Sequence, residues 1–155
     1  MDKNFNIVLC GFMGCGKTTL GQQLAALTGR EFIDTDAYIE GKTGLTINEI
    51  FAKYGEDYFR ALEKKCISKV AQKSNCIIAT GGGTVLDKDN VLSLKSNGKI
   101  FFLDVPFDVI CHRVYRCTNR PLAQNLDKSN LKKLFNTRQK IYKACADFTV
   151  NATQP

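Results

Sequence analysis

Five short apolar runs alternate with amphipathic helical patterns, and this alternation predicts an α/β fold: three αβα layers built on a five-stranded parallel sheet. The strands are expected at 5–10, 31–34, 76–80, 100–104 and 147–151, with helices filling the gaps. A glycine-rich segment sits between the first strand and the first helical pattern, as at the start of a doubly wound sheet. The 155 residues are 44% hydrophobic and 24% charged, an ordinary composition for one domain with one core, so 1–155 is read as a single domain. No internal repeat or low-complexity linker interrupts it. No apolar run is long enough to span a membrane, and Met1-Asp2-Lys3-Asn4 leads directly into the first strand, so no secretion signal is expected.

The first strand, Phe5 to Cys10, runs into Gly11-Phe12-Met13-Gly14-Cys15-Gly16-Lys17-Thr18. Gly, four free positions and Gly-Lys-Thr form the P-loop pattern, and Leu20, Leu24 and Leu27 at helical spacing, closed by Gly29, supply the helix it requires. A chance glycine turn would lack that strand–loop–helix context. The sequence therefore predicts nucleotide binding at Gly14, Cys15, Gly16, Lys17, Thr18 and Thr19 within a P-loop NTPase fold. Backbone N–H groups and the helix N-terminus cradle phosphate, Lys17 reaches the outer phosphates and Thr18 ligates Mg²⁺. Cys15, among these dipoles and near Lys17, is a candidate for a lowered pKa and for alkylation, with an inert thiol as the alternative.

The second strand ends in Ile33-Asp34-Thr35-Asp36. If the chain stays extended, both carboxylates point the same way beside the phosphate site. One would serve the metal's water shell and the other would accept a proton from an attacking hydroxyl; merely capping the next helix is the plainer alternative. Thr46 and Glu49 form a capping box at a helix start, which is a structural feature. After Gly55 a longer helix is expected from Glu56 to about Lys73. On it Arg60 lies one turn from Glu63, and Glu63 falls toward the apolar stripe, which suggests a partly buried, oriented ion pair.

The third strand ends in Gly81-Gly82-Gly83, which lets a ligand approach the backbone. No aspartate stands at that strand end, so Asp34 becomes the candidate carboxylate for the metal, with Asp104 as its rival. Arg113, Arg116 and Arg120 bracket a polar stretch that reads as a mobile lid over 113–125, although for Arg116 a solvated basic loop is preferred. In the last long helix Leu131, Leu134, Phe135, Ile141 and Tyr142 mark an apolar face. At 100° per residue Arg138 falls in its middle, with no acidic residue within one turn. A cation there needs an anion, either a distant carboxylate or a bound substrate.

The net charge of +7 fits nucleic acid or two small anionic substrates, but there is no basic tail and no aromatic RNA-binding signature. Seven cysteines without a Cys-x-x-Cys pair suggest reduced core thiols, and Cys111-His112 with Cys117 lacks a fourth ligand for zinc.

Taken in order, Gly11 to Thr19, Asp34-Thr35-Asp36, Phe59-Arg60-Ala61-Leu62-Glu63, Gly81-Gly82-Gly83, Arg120-Pro121-Leu122, and Arg138 with Tyr142 resemble the shikimate kinases, over residues 5 to about 151. The P-loop alone is generic; the ordered set is specific. The resemblance implies transfer of the ATP γ-phosphoryl group to the 3-hydroxyl of shikimate, in the route to chorismate and the aromatic amino acids. It implies Asp36 as base or orienter, with Lys17 and Arg120 stabilising charge on the transferred group. Asp36, Arg60, Gly81, Gly82, Gly83 and Arg138 would bind shikimate, with 34–62 as the shikimate-binding segment, and Arg113 would stack on adenine. Mg²⁺ would sit on Thr18 and, through water, Asp34. ATP and shikimate are the expected partners of a cytoplasmic monomer, without nucleic acid or membrane. The sequence departs from the family's habit at Cys15, usually Ser, at Ala123, usually a larger apolar residue, and at Lys143, often acidic. A further helix usually follows the last strand in that family, whereas here Asn151-Ala152-Thr153-Gln154-Pro155 follows. A gluconate-type polyol kinase would share the P-loop but lack the Arg60 and Arg138 pair. A nucleotide kinase would carry a proline in the P-loop, and a GTPase would carry Asn-Lys-x-Asp.

Overall fold

The fold is described from a computed structural model over residues 4–116 and 127–152. The elements are β1 (Asn6–Cys10), α1 (Lys17–Thr28), β2 (Glu31–Asp34), α2 (Thr35–Thr43), α3 (Ile47–Tyr54), α4 (Glu56–Val70), β3 (Cys76–Ala79), a 3₁₀ turn (Thr84–Leu86), α5 (Lys88–Ser96), β4 (Gly98–Asp104), α6 (Phe107–Arg116), α7 (Lys128–Cys145) and β5 (Phe148–Asn151). The strands pair in parallel in the order β2-β3-β1-β4-β5. Val8, Ile77, Ile78 and Ile100 in the three central strands are wholly buried, at 0% exposure. No described helix is long and apolar enough to cross a membrane.

This strand order locates the site. From β1 the chain crosses to β2 in one direction, and from β3 it crosses to β4 in the other. Right-handed crossovers running in opposite directions put their helices on opposite faces, which opens a crevice outside the carboxyl ends of β1 and β3. The P-loop follows β1 and the three glycines follow β3, so both border that crevice.

Each expected strand is present, and the boundaries shift for local reasons. β4 begins at Gly98, not 100, because Gly98 and Lys99 pair with Asn6 and Ile7 of β1; the exposed Lys99 hides this end from a hydrophobicity reading. α4 stops at Val70 rather than Lys73, where the chain continues in turn bonds, Gln72 N–H to Lys69 O (3.2 Å) and Lys73 N–H to Val70 O (3.1 Å). Asp147 lies just before β5 and grips Ile100 twice: its N–H donates to the Ile100 carbonyl at 2.8 Å, and its carboxylate accepts the Ile100 N–H at 2.8 Å. Of the described cysteines, all are free; five are buried and Cys145 is half-buried.

Candidate active site

The P-loop turns sharply through Gly14 (φ 81°) and Gly16 (φ 97°), left-handed conformations that favour glycine. Lys17 opens α1 and bends back so that its Nζ donates to the carbonyls of Gly11 (2.6 Å) and Phe12 (3.2 Å). Arg113 of α6 donates from Nη1 to the Gly14 carbonyl at 2.9 Å. Of the two readings of Cys15, its burial favours the inert thiol. Its Sγ lies beneath the loop at 2% exposure, close enough to Gly11 that a Cβ there would meet it at 2.7 Å. Only backbone is presented at this position, and its N–H closes on the Phe12 carbonyl at 3.2 Å. Thr19 is exposed one position beyond Thr18 on α1.

At the end of β2 the chain does not stay extended through both carboxylates. Asp34 is extended (φ −96°, ψ 119°), and α2 starts at the next residue. Asp34 therefore uses its two oxygens on different partners. Its Oδ1 caps α2 by accepting the N–H groups of Asp36 (3.0 Å) and Ala37 (3.1 Å), while Oδ2 accepts the Thr18 hydroxyl at 2.9 Å. Asp36, in the first turn of α2, caps nothing. Its Oδ1 is buried and has no hydrogen-bond partner among the described residues. Burial pushes the Asp36 carboxyl up to about 6, helped by the charges of Asp34 and Glu63 and opposed by Lys17.

Arg60 and Glu63 of α4 form the expected pair at 2.8 Å, with the Glu63 side chain only 2% exposed and that of Arg60 29%. The glycines after β3 have a use that spacing did not reveal: they clear room for the site's own charged side chains. A Cβ on Gly81 would lie 2.9 Å from Asp36 Oδ1, and one on Gly83 would lie 2.5 Å from Arg60 Nη2. Between them, the Gly82 carbonyl accepts the Tyr142 hydroxyl at 2.5 Å. Burial pushes the Tyr142 phenol up, and the charge of Arg138 opposes that shift. Arg138 is 7% exposed, and among the described residues no ion pair involves it. Asp104, the rival metal carboxylate, accepts from Gln139 of α7 at 3.2 Å.

One cleft of about 550 Å³ is lined by Lys17, Thr18, Asp34, Asp36, Arg60, Gly81, Gly82 and Arg138. Thr18 and Asp34 offer two hard oxygen donors beside the P-loop, a set that suits Mg²⁺. Arg120 and the 117–125 part of the expected lid lie outside the described residues, as does the side chain of Arg116. Sequence reasoning missed one wall of the cleft, where Phe51 and Phe59 stack with centroids 5.1 Å apart. It also missed Glu40, which accepts the Ile47 N–H at 2.9 Å and so ties α2 to the start of α3. Phe51 of α3 and Phe59 of α4 are apolar residues in amphipathic helices, and nothing in such a pattern separates a cleft wall from a core wall.

Residues 13–155 match the family profile described as shikimate kinase. A shikimate kinase of Caldicellulosiruptor bescii is 46% identical over 147 residues, 94% of this chain and 85% of the relative. The solved structure of an Acinetobacter baumannii shikimate kinase in complex with shikimate superposes with a TM-score of 0.92 at 39% identity, covering 97% of this chain and 85% of that one. A gluconokinase structure from Sinorhizobium meliloti shares the fold alone, with 18% identity and a TM-score of 0.59 over 100% of this chain and 86% of that one. The sequence match over nearly the whole chain and the cleft between β1 and β3 lead to one conclusion: this chain belongs to the shikimate kinase family.

Proposed function

We propose that the chain transfers the γ-phosphoryl group of ATP to the 3-hydroxyl of shikimate, giving shikimate 3-phosphate and ADP, and that the cleft residues named above carry the reaction. The observation behind this reading is Arg138: a nearly buried cation, free of any protein carboxylate among the described residues, in the same cleft as a P-loop. A desolvated guanidinium without an anion is costly, and a substrate carboxylate held jointly with Arg60 removes that cost. Asp36 Oδ1 is the complementary orphan, a buried acceptor that a ring hydroxyl satisfies.

In this reading Arg60 and Arg138 hold the carboxylate end of shikimate. Asp36 orients the attacking hydroxyl and takes its proton as that oxygen bonds to the γ-phosphorus and the bond to the β-phosphate breaks. The carboxyl near 6 is ionised at neutral pH yet basic enough to accept a proton. Gly14, Cys15 and Gly16 present backbone to the phosphates. Lys17 leaves its loop carbonyls to meet the outer phosphates, and with Arg120 it stabilises charge on the transferring group. Arg113, which donates to the Gly14 carbonyl, would stack on adenine. Thr18, and Asp34 through water, would hold Mg²⁺, which when bound neutralises phosphate charge. The protein's contribution is positioning and electrostatics. Free thiols support a reducing, cytoplasmic setting, in which the chain acts as a monomer on two small anions rather than on nucleic acid or a membrane.

The test is ADP release from Mg·ATP with shikimate, gluconate, AMP or no acceptor. Strong stimulation by shikimate alone, lost in Arg138→Ala, is expected. Stimulation by another acceptor, or full shikimate activity in Arg138→Ala, would refute the carboxylate assignment.

A further inference from the structure

The carboxylate clamp has a support that no motif marked. Glu63, at 1% exposure, uses both oxygens: Oε1 accepts from Arg60 Nη1 at 2.8 Å, and Oε2 accepts the hydroxyl of Thr84 at 2.9 Å. Thr84 is 0% exposed and Asn90, on α5, is 2% exposed. The Asn90 amide donates to the Thr84 carbonyl at 3.0 Å, and the Thr84 N–H donates to the Gly81 carbonyl at 3.3 Å. One buried residue thus ties the glycine turn, the clamp and α5 together with three different groups.

We infer that Thr84, held by Asn90, is a positioning residue for substrate binding: its hydroxyl fixes the plane of the Glu63 carboxylate, and through it the direction in which Arg60 points. This rests on the reading of Arg60 as a ligand of the substrate carboxylate. A carboxylate with one anchored oxygen pivots about its side-chain torsions; anchoring both removes that freedom. A buried carboxylate also needs more than one donor, because its desolvation is repaid only when its remaining lone pairs are satisfied. Gly83, with no Cβ, leaves the guanidinium room to lie where Glu63 directs it. Because the carboxylate end is remote from the transferring phosphoryl group, loosening the clamp weakens substrate binding in ground and transition states alike, which raises KM and spares kcat.

The test is steady-state kinetics of the full chain in both substrates, with unfolding midpoints measured alongside, for Thr84→Val, Thr84→Ser, Asn90→Ala and Arg60→Ala. Thr84→Val removes the hydroxyl at similar volume. It is expected to raise the KM for shikimate about five- to tenfold, with kcat and the KM for ATP within about twofold, the scale of one ordinary lost hydrogen bond felt indirectly through Glu63. Thr84→Ser, which keeps the hydroxyl, restores the wild-type KM. Asn90→Ala shifts it in the same direction as Thr84→Val by a smaller factor. Thr84→Ala carries the same expectation as the valine variant if the latter does not fold. An unchanged shikimate KM in Thr84→Val, with Arg60→Ala raising it, would overturn the positioning role and leave the site reading standing. Parallel loss of kcat and both KM values, tracking a lowered midpoint, would overturn it as well. An unchanged shikimate KM in Arg60→Ala would instead sink the site reading itself.

Discussion

Replacing Asp36 with asparagine should stop catalysis and, in the protein without ligands, make it more stable above pH ~6, where the wild-type carboxylate is charged. The carboxyl is pushed from its ordinary 3.8 to about 6, first by burial and then by the charges of Asp34 and Glu63. Below about pH 3.8 the group is protonated in both folded and unfolded chains, and its ionisation costs the fold nothing. As pH rises, the unfolded chain ionises first; above about 6 the folded chain must carry a desolvated anion among its neighbours, and the cost is fully present. The difference between 3.8 and about 6, at ~1.4 kcal/mol per pH unit, gives about 3 kcal/mol. Asparagine has nearly the same shape and no charge, so the gap between variant and wild type should open from near zero at pH ~4 to about 3 kcal/mol at pH ~8. For a domain of this size that is roughly 6–12 °C in Tm. Urea unfolding at the two pH values reads the gap directly. Phosphoryl transfer to shikimate should fall by about 10²–10⁴-fold in the same variant. A stability gap that does not change with pH, or a variant less stable than wild type at the higher pH, would refute the account of Asp36 as a strained, ionisable base.

Two further outcomes follow from the packing. Gly83 has ordinary backbone angles (φ −106°, ψ 2°), so alanine fits the chain there, but its methyl would meet the flexible guanidinium of Arg60 at 2.5–2.8 Å. Gly83→Ala should therefore raise the KM for shikimate about tenfold, displacing the arginine with little change in Tm; an unaffected KM would show that the space is not needed by Arg60 in the working enzyme. Cys15, at 2% exposure beneath the loop, should resist iodoacetamide in the folded protein and react only on unfolding, as followed by mass spectrometry, and Cys15→Ser should keep activity within about twofold. Labelling of native Cys15 at the rate of an exposed thiol would contradict its placement.

Much of this protein was legible in its sequence because the signals were local or periodic. Gly11 to Thr18 needs only its own backbone and the neighbouring strand and helix to make a phosphate cradle. The alternation of apolar runs and helical patterns settled the parallel sheet, since parallel strands require covered crossovers. Arg138 stood out because a cation at the centre of an apolar helical face violates the pattern around it, and Glu63 because it lay toward the stripe of α4. What the tertiary structure alone decided was which side chains share space across distant segments. Asp34 could be read as a cap or as a metal carboxylate; the chain bends at Thr35 and the fold brings Thr18 to it, so one oxygen meets each partner. Gly81 and Gly83 looked like openings for a ligand, and folding fills that space with Asp36 and Arg60, contributed by two other helices. Thr84 and Asn90 carried no signal at all, because a buried hydroxyl bonded to a carboxylate 21 residues away has no period and no spacing rule. Periodicity reports which face of an element is buried; it does not report what is buried against it.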